Sequence, residues 1–102
     1  MDKKAAQRIG EVLKGLAHPV RLRIVDALQR GEMCVGDVAE VLGERQAVTS
    51  QHLNTMRDKG ILASRRDGSR VYYRIYNSSA VKLLHCFATT ARRKGRREEG
   101  LD

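Results

Sequence analysis

Aromatic side chains make up only 4% of this 102-residue chain: three Tyr, one Phe and no Trp. That is too few for an exposed platform on which bases could stack, so recognition of a single strand by stacking is not expected. Cysteine is equally scarce. Cys34 and Cys86 are too few for a disulfide scaffold and are not in a Cys-x-x-Cys arrangement, which suits a reducing compartment. No apolar run approaches the ~18 residues of a membrane span, and Met1-Asp2-Lys3-Lys4 opens an amphipathic rather than a secretory stretch. A cytoplasmic protein without a membrane partner is therefore expected. Features of an enzyme are missing too. There is no glycine-rich phosphate loop and no paired-carboxylate site, and Ser50 and His52 would lie on different sides of a helix with no acidic group to orient them. At 11.5 kDa the chain suits one hydrophobic core and excludes a multidomain enzyme.

What the chain does have is positive charge, and it is unevenly spread. The formal net charge is +8, yet residues 1–44 carry seven basic and seven acidic groups and cancel. Residues 45–74 hold Arg45, Arg57, Lys59, Arg65, Arg66, Arg70 and Arg74 against Asp58 and Asp67, a local +5, and residues 75–102 add +3. A localised basic stripe is the electrostatic footprint of a protein that contacts phosphates and releases their counterions. An anionic membrane surface would satisfy the same arithmetic, so the pattern of residues has to decide.

Ala6, Ile9, Val12, Leu13 and Leu16 follow the three-and-four spacing of an amphipathic helix. Ala17-His18-Pro19 punctuates it, since proline suits a first helical turn, and His18 reads as a cap or packing residue. A second helix is predicted from Pro19 to Gln29, burying Val20 or Leu22, Ile24, Val25 and Leu28, and a short third from about Gly36 to Leu42, closed by Gly43. A fourth begins at Gln46, turning Val48, Thr49, Leu53 and Met56 inward and leaving Gln46, Ala47, Ser50, Gln51, Asn54 and Arg57 as a polar outer strip. His52 sits beside that strip and also supports Leu53. Two short helices joined by a tight glycine-containing turn form a helix-turn-helix pattern. Asp67-Gly68 between β-prone runs then signals a basic hairpin, in which Tyr72 and Tyr73 point to opposite faces. A last helix, capped by Asn77 or Ser78, should bury Val81, Leu84, Phe87 and Ala88 or Ala91.

The expected fold is therefore mainly α with a small β-hairpin, a winged helix-turn-helix of about five helices and a two-stranded wing. Residues 1–91 would form the winged helix-turn-helix DNA-binding domain, and 92–102 a basic tail without regular structure. The chemistry would be reversible binding: Gln and Asn can pair with adenine and Arg with guanine in the major groove. The candidate DNA-binding residues are Gln46, Ala47, Ser50, Gln51, His52, Asn54, Arg57, Arg65, Arg66 and Arg70.

Four stretches, in order, carry a resemblance: Leu16-Ala17-His18-Pro19-Val20-Arg21-Leu22-Arg23-Ile24, Gly31-Glu32-Met33-Cys34-Val35-Gly36-Asp37-Val38, Ser50-Gln51-His52-Leu53 and Asp67-Gly68-Ser69-Arg70-Val71-Tyr72-Tyr73. The chain resembles the ArsR/SmtB family of bacterial transcriptional repressors from about Ile9 to Phe87. The resemblance implies a homodimer paired through its first and last helices. It would bind double-stranded DNA at an imperfect inverted-repeat operator and leave it when an effector binds.

The effector sites of that family are not matched here. Where members sensing soft metals read Cys-Val-Cys-Asp, this chain reads Cys34-Val35-Gly36-Asp37 and lacks the second thiolate. The last-helix metal site corresponds to Asn77-Ser78-Ser79 and Thr89-Thr90-Ala91, not a usual ligand set. The paired cysteines of persulfide and oxidant sensors fall at Asp26 and about Arg92. Cys34, near a helix N-terminus that favours thiolate, and Cys86 remain as candidate sensing residues, and a metal ion held through either is the one cofactor to consider. Cys86 also reads as a small hydrophobe on an apolar face. The effector is thus a metal ion, a thiol-reactive species or none. The alternative function is a winged-helix adaptor for protein or RNA without operator specificity.

Overall fold

A computed structural model describes the backbone of residues 1–101 and the side chains of residues 1–89. Helix α1 spans Lys3–Leu16 and α2 Pro19–Leu28; strand β1 is Met33–Cys34; α3 spans Val35–Leu42 and α4 Gln46–Asp58; strands β2 and β3 are Leu62–Asp67 and Arg70–Ile75; α5 is Ser78–Leu101. Helix α5 continues as far as Leu101, through the stretch 92–102 expected as a tail without regular structure, whose side chains lie outside those described.

Local chemistry sets the helix boundaries. Asp2 Oδ1 accepts from the Ala5 amide at 2.7 Å, and His18 Nδ1 accepts from the Val20 amide at 3.1 Å with Pro19 in the first turn of α2. Helix α3 stops at Gly43, whose φ of 67° is a conformation that glycine adopts without a Cβ penalty. Arg23 Nη1 donates to the Leu42 carbonyl at 3.0 Å and so satisfies one of the acceptors left over at that helix end. At the start of α5, the side chain of Asn77, rather than Ser78, accepts from the Ser79 amide.

The core gathers Leu16 of α1, Ile24, Val25 and Leu28 of α2, Val38 and Leu42 of α3, Leu53 and Met56 of α4, Ile61, Leu62, Tyr73 and Ala80. Each fully buried large aliphatic side chain contributes roughly 1.5–3 kcal/mol. The one buried polar residue among those described is Thr49, whose Oγ1 donates to the Arg45 carbonyl one turn earlier at 3.0 Å.

Three expectations need correcting. The wing is part of a three-stranded antiparallel sheet in the order β1-β3-β2, not a free two-stranded hairpin. β1 was invisible because two residues carry no alternation. The hairpin turn lies one residue later than expected: Asp67 pairs with Arg70, leaving Gly68 and Ser69 as the central residues. Only Gly68 has positive φ, the pattern of a type II′ turn, which needs glycine at the first central position alone. Finally, Phe87 is 63% exposed, whereas Ala80, near the start of α5, is fully buried. Helical spacing identifies an apolar face without saying what covers it. Of the Val20 and Leu22 alternatives, Val20 is the one packed against the core.

Gly15 permits the close approach of α1 to the junction of α4 and β2. A Cβ there would collide with Ile61 Cδ1 and press on Lys59 at 3.3 Å. Ile61 is fully buried and has little room to yield. Gly15→Ala is therefore expected to destabilise by about 1–3 kcal/mol despite its better helix propensity. Gly36→Ala, where a Cβ meets only Gln46 at 3.9 Å, should be neutral or stabilising by up to about 1 kcal/mol. Urea midpoints of the two variants check the contrast; a Gly15→Ala protein as stable as the parent would contradict it.

Candidate nucleic-acid interface

Helix α4 faces the core with Thr49, Leu53 and Met56, which turns the opposite strip to solvent. Gln46, Ala47, Gln51 and Arg57 are exposed; Ser50, His52 and Asn54 are half-buried. Gln46, Ala47 and Ser50 line one surface cavity of about 460 Å³ together with Ser69, Arg70 and Val71 of the wing and Cys34, Val35, Gly36 and Asp37 at the start of α3. The start of α4 and the tip of the wing therefore share one surface.

The strand register separates the wing's arginines. Arg65 lies opposite Tyr72, Ala63 opposite Arg74 and Asp67 opposite Arg70, so Arg65, Arg70 and Arg74 share one face of the hairpin. Arg66, opposite Val71, belongs to the other face with Tyr73. Arg66 and Arg70 are exposed. A hydrogen bond with the Tyr72 side chain, and then the Tyr72, Cys34 and Asp37 groups acting at a distance, raise the pKa of the Arg70 guanidinium.

Several candidate residues are engaged within the protein. The Tyr73 hydroxyl, on a side chain only 2% exposed, donates to Asn54 Oδ1 at 2.5 Å and ties α4 to the wing. The Asn54 amide is thereby held with its carbonyl turned toward the protein. Arg65 is gripped by Glu32 and lies over the Tyr72 ring, 4.6 Å from its centroid. Arg57 pairs with Asp58 at 3.4 Å in an exposed position, where such pairs contribute little. His52 Nδ1 accepts from Arg21 Nε at 3.1 Å, and its ring centroid is 4.4 Å from that of His18. Apart from Asp58 beside Arg57 and the Tyr72 ring beneath Arg65, these partners are 19 to 34 residues apart in the chain, so sequence spacing offers no signal for them.

Cys34 is buried and Cys86 exposed. Among the described residues, no group of three or more His, Cys, Asp or Glu is placed to hold a metal ion. A metal bound through either cysteine would need ligands from outside the described residues of one chain. No described helix is long and apolar enough to cross a membrane.

Two helices joined by a three-residue turn, with a basic hairpin behind the second, define a winged helix-turn-helix protein. Comparison with known proteins narrows the class. A family model described as "Bacterial regulatory protein, arsR family" matches residues 18–64. The biofilm growth-associated repressor of Xylella fastidiosa is 36% identical over 86 residues, covering 84% of this chain and 75% of that one. The crystal structure of the transcriptional repressor BigR from Xylella fastidiosa superposes with a TM-score of 0.78 at 35% identity, over 86% of this chain and 90% of that one. The solution structure of a homodimeric winged helix-turn-helix DNA-binding domain, Mb0332 from Mycobacterium bovis, gives a TM-score of 0.75 at 33% identity, over 90% and 87%. The chain belongs to the ArsR family of bacterial regulatory proteins. It is a DNA-binding transcriptional regulator and not an enzyme.

Burial, then the neighbouring His18 and Arg21, lower the pKa of His52, with Glu44 opposing them. Its folded-state pKa lies below the unfolded value, so between the two the unfolded chain binds more protons and stability rises with pH. The stabilisation is complete above about pH 6.5 and is lost as pH falls through the lowered pKa. Thermal midpoints should therefore drop on acidification from pH 7.5 to 5.5, and His52→Asn should reduce that drop. An unchanged pH dependence in the variant would exclude His52 as its source.

Proposed function

We propose that the protein is a homodimeric transcriptional repressor in the cytoplasm that seats α4 in the major groove of an inverted-repeat operator. The wing would rest on the adjacent phosphates or minor groove. The observation that carries this reading is the shared surface formed by Gln46, Ala47 and Ser50 of α4 with Arg70 of the wing. Hydrogen-bonding groups that can read base edges there lie beside a cation that can fix register on phosphate. Gln51 and Ser50 are the base-reading residues of choice, and Arg66 and Arg70 the phosphate ligands.

Dimerisation through α1 and α5 is supported by the exposed apolar side chains Ile9 (45%), Leu13 (42%) and Phe87 (63%), and by the homodimeric state of the Mycobacterium bovis relative. Residues 1–91 would act as the DNA-binding and dimerisation unit, with 92–102 as a basic extension. A two-fold dimer would match two recognition helices to successive major grooves.

Titration of promoter and random duplexes at several salt concentrations tests the reading. Gln51→Ala or Ser50→Ala should relax base preference, costing about 1–3 kcal/mol of discrimination where the contact is bidentate. Arg70→Ala should weaken binding to all sequences and flatten the logarithmic salt slope by about 0.9 per protomer. Weak, sequence-blind binding by the unmodified protein would favour the adaptor function instead.

Release by an effector is best supported at Cys34. It precedes the first residue of α3 and lines the cavity shared with Gln46, Ser50 and Arg70, so a thiol-reactive species acting there would disturb the interface directly. Cys34→Ser should abolish derepression by such a species in a reporter assay. A normal response would assign that role elsewhere and leave Cys34 a packing residue.

A further inference from the structure

The wing's most heavily engaged cation is also one of its most prominent. Arg65 Nε lies 3.0 and 2.9 Å from the two carboxylate oxygens of Glu32, and Nη2 donates to Oε1 at 2.6 Å. The same guanidinium covers the Tyr72 ring at 4.6 Å, and its remaining terminal nitrogen lies 3.8 Å from Asp67. Glu32 immediately precedes β1, which leads directly into α3, so the pair joins the wing to the first helix of the helix-turn-helix.

We infer that Glu32 is a positioning residue that withholds Arg65 from the nucleic acid, making Arg65 a strut between β2 and the α3 entry rather than a phosphate ligand. Isolated surface ion pairs contribute little, but this one is two-toothed and backed by a ring, the geometry in which an arginine–carboxylate pair is strongest. A phosphate would have to displace a carboxylate that already occupies the fork, and leave that carboxylate unpaired beside the nucleic acid. The hydrogen bond from Arg65 is also the main cause holding the Glu32 carboxyl below the usual carboxylate range, so the pair is fully charged at neutral pH. The consequence is selective. Among the described residues no ion pair joins Arg70, on the same face of the hairpin, to a carboxylate, whereas Glu32 removes Arg65 from the sequence-blind attraction of the wing. A smaller free charge lowers non-specific affinity and leaves base contacts from α4 a larger share of the binding energy.

This inference rests on the operator-binding reading, and the salt dependence of duplex binding distinguishes the two. Glu32→Gln should free Arg65, steepening the slope by about 0.9 per protomer and tightening random duplex more than operator. The double variant Glu32→Gln/Arg65→Gln, which removes both charges together, should return to the parental slope. If the double variant instead flattens the slope as Arg70→Ala does, Arg65 is a phosphate ligand in the parent and the assignment is overturned. It is equally overturned by a Glu32→Gln slope that matches the parent while Arg70→Ala still flattens. Salt-independent binding by the parent would overturn the operator reading, and this assignment with it.

Discussion

The seating of α4 against the core is the constraint on which the rest depends. Leu53 and Met56 are fully buried, and Thr49 joins them only because its hydroxyl is satisfied by the Arg45 carbonyl of its own helix. Those three positions fix the helix's rotation about its axis. At about 100° per residue, a turn by one position would bury a polar side chain and expose a core one, at roughly 2–5 kcal/mol for the lost apolar contact alone. The polar strip is therefore turned outward by the buried face, before Asn54 adds its own bond to Tyr73. Its orientation is a by-product of what lies behind it.

The wing is fixed to this helix by similar means. A two-stranded hairpin is marginal in water, and this one gains a third strand when Met33 and Cys34 pair with Tyr73 and Tyr72. Tyr73 contributes twice, since its ring enters the core and its hydroxyl reaches Asn54 on α4. The placement of the wing on α4 thus rests on a buried ring and one short hydrogen bond. Because Asn54 lies on α4 itself, a residue that fixes the geometry is drawn from the set that periodicity assigns to the nucleic acid.

What was legible in the sequence was what depends on near neighbours. The apolar spacing of α2 and α4, the glycine that ends α3 and the β-prone runs around Asp67-Gly68 each carry their own signal within a few residues. Contacts between distant segments carry none. Glu32 and Arg65 are 33 residues apart, and nothing in either stretch names the other. β1 was missed because its two residues are held in place by β3 rather than by any propensity of their own. Phe87 reads as a core residue in the sequence because helical spacing reports an apolar face but not its occupant, and in the structure it is 63% exposed.

The charge of the basic segment shows the same distinction with a functional consequence. The formal +5 over residues 45–74 counts every cation equally, but a cation held by a carboxylate attracts no further counterion worth releasing. Lys59 donates to Glu11 at 2.9 Å, Arg65 is held by Glu32 and Arg57 leans on its neighbour Asp58. Two of those carboxylates lie in the first 44 residues, whose charges cancel when the chain is treated as a string. Folding therefore moves negative charge onto the basic stripe, so the positive charge free to meet phosphate is smaller than composition implies. Every cation spent on the backbone attraction common to all sequences raises the occupancy of random duplex as much as that of the operator.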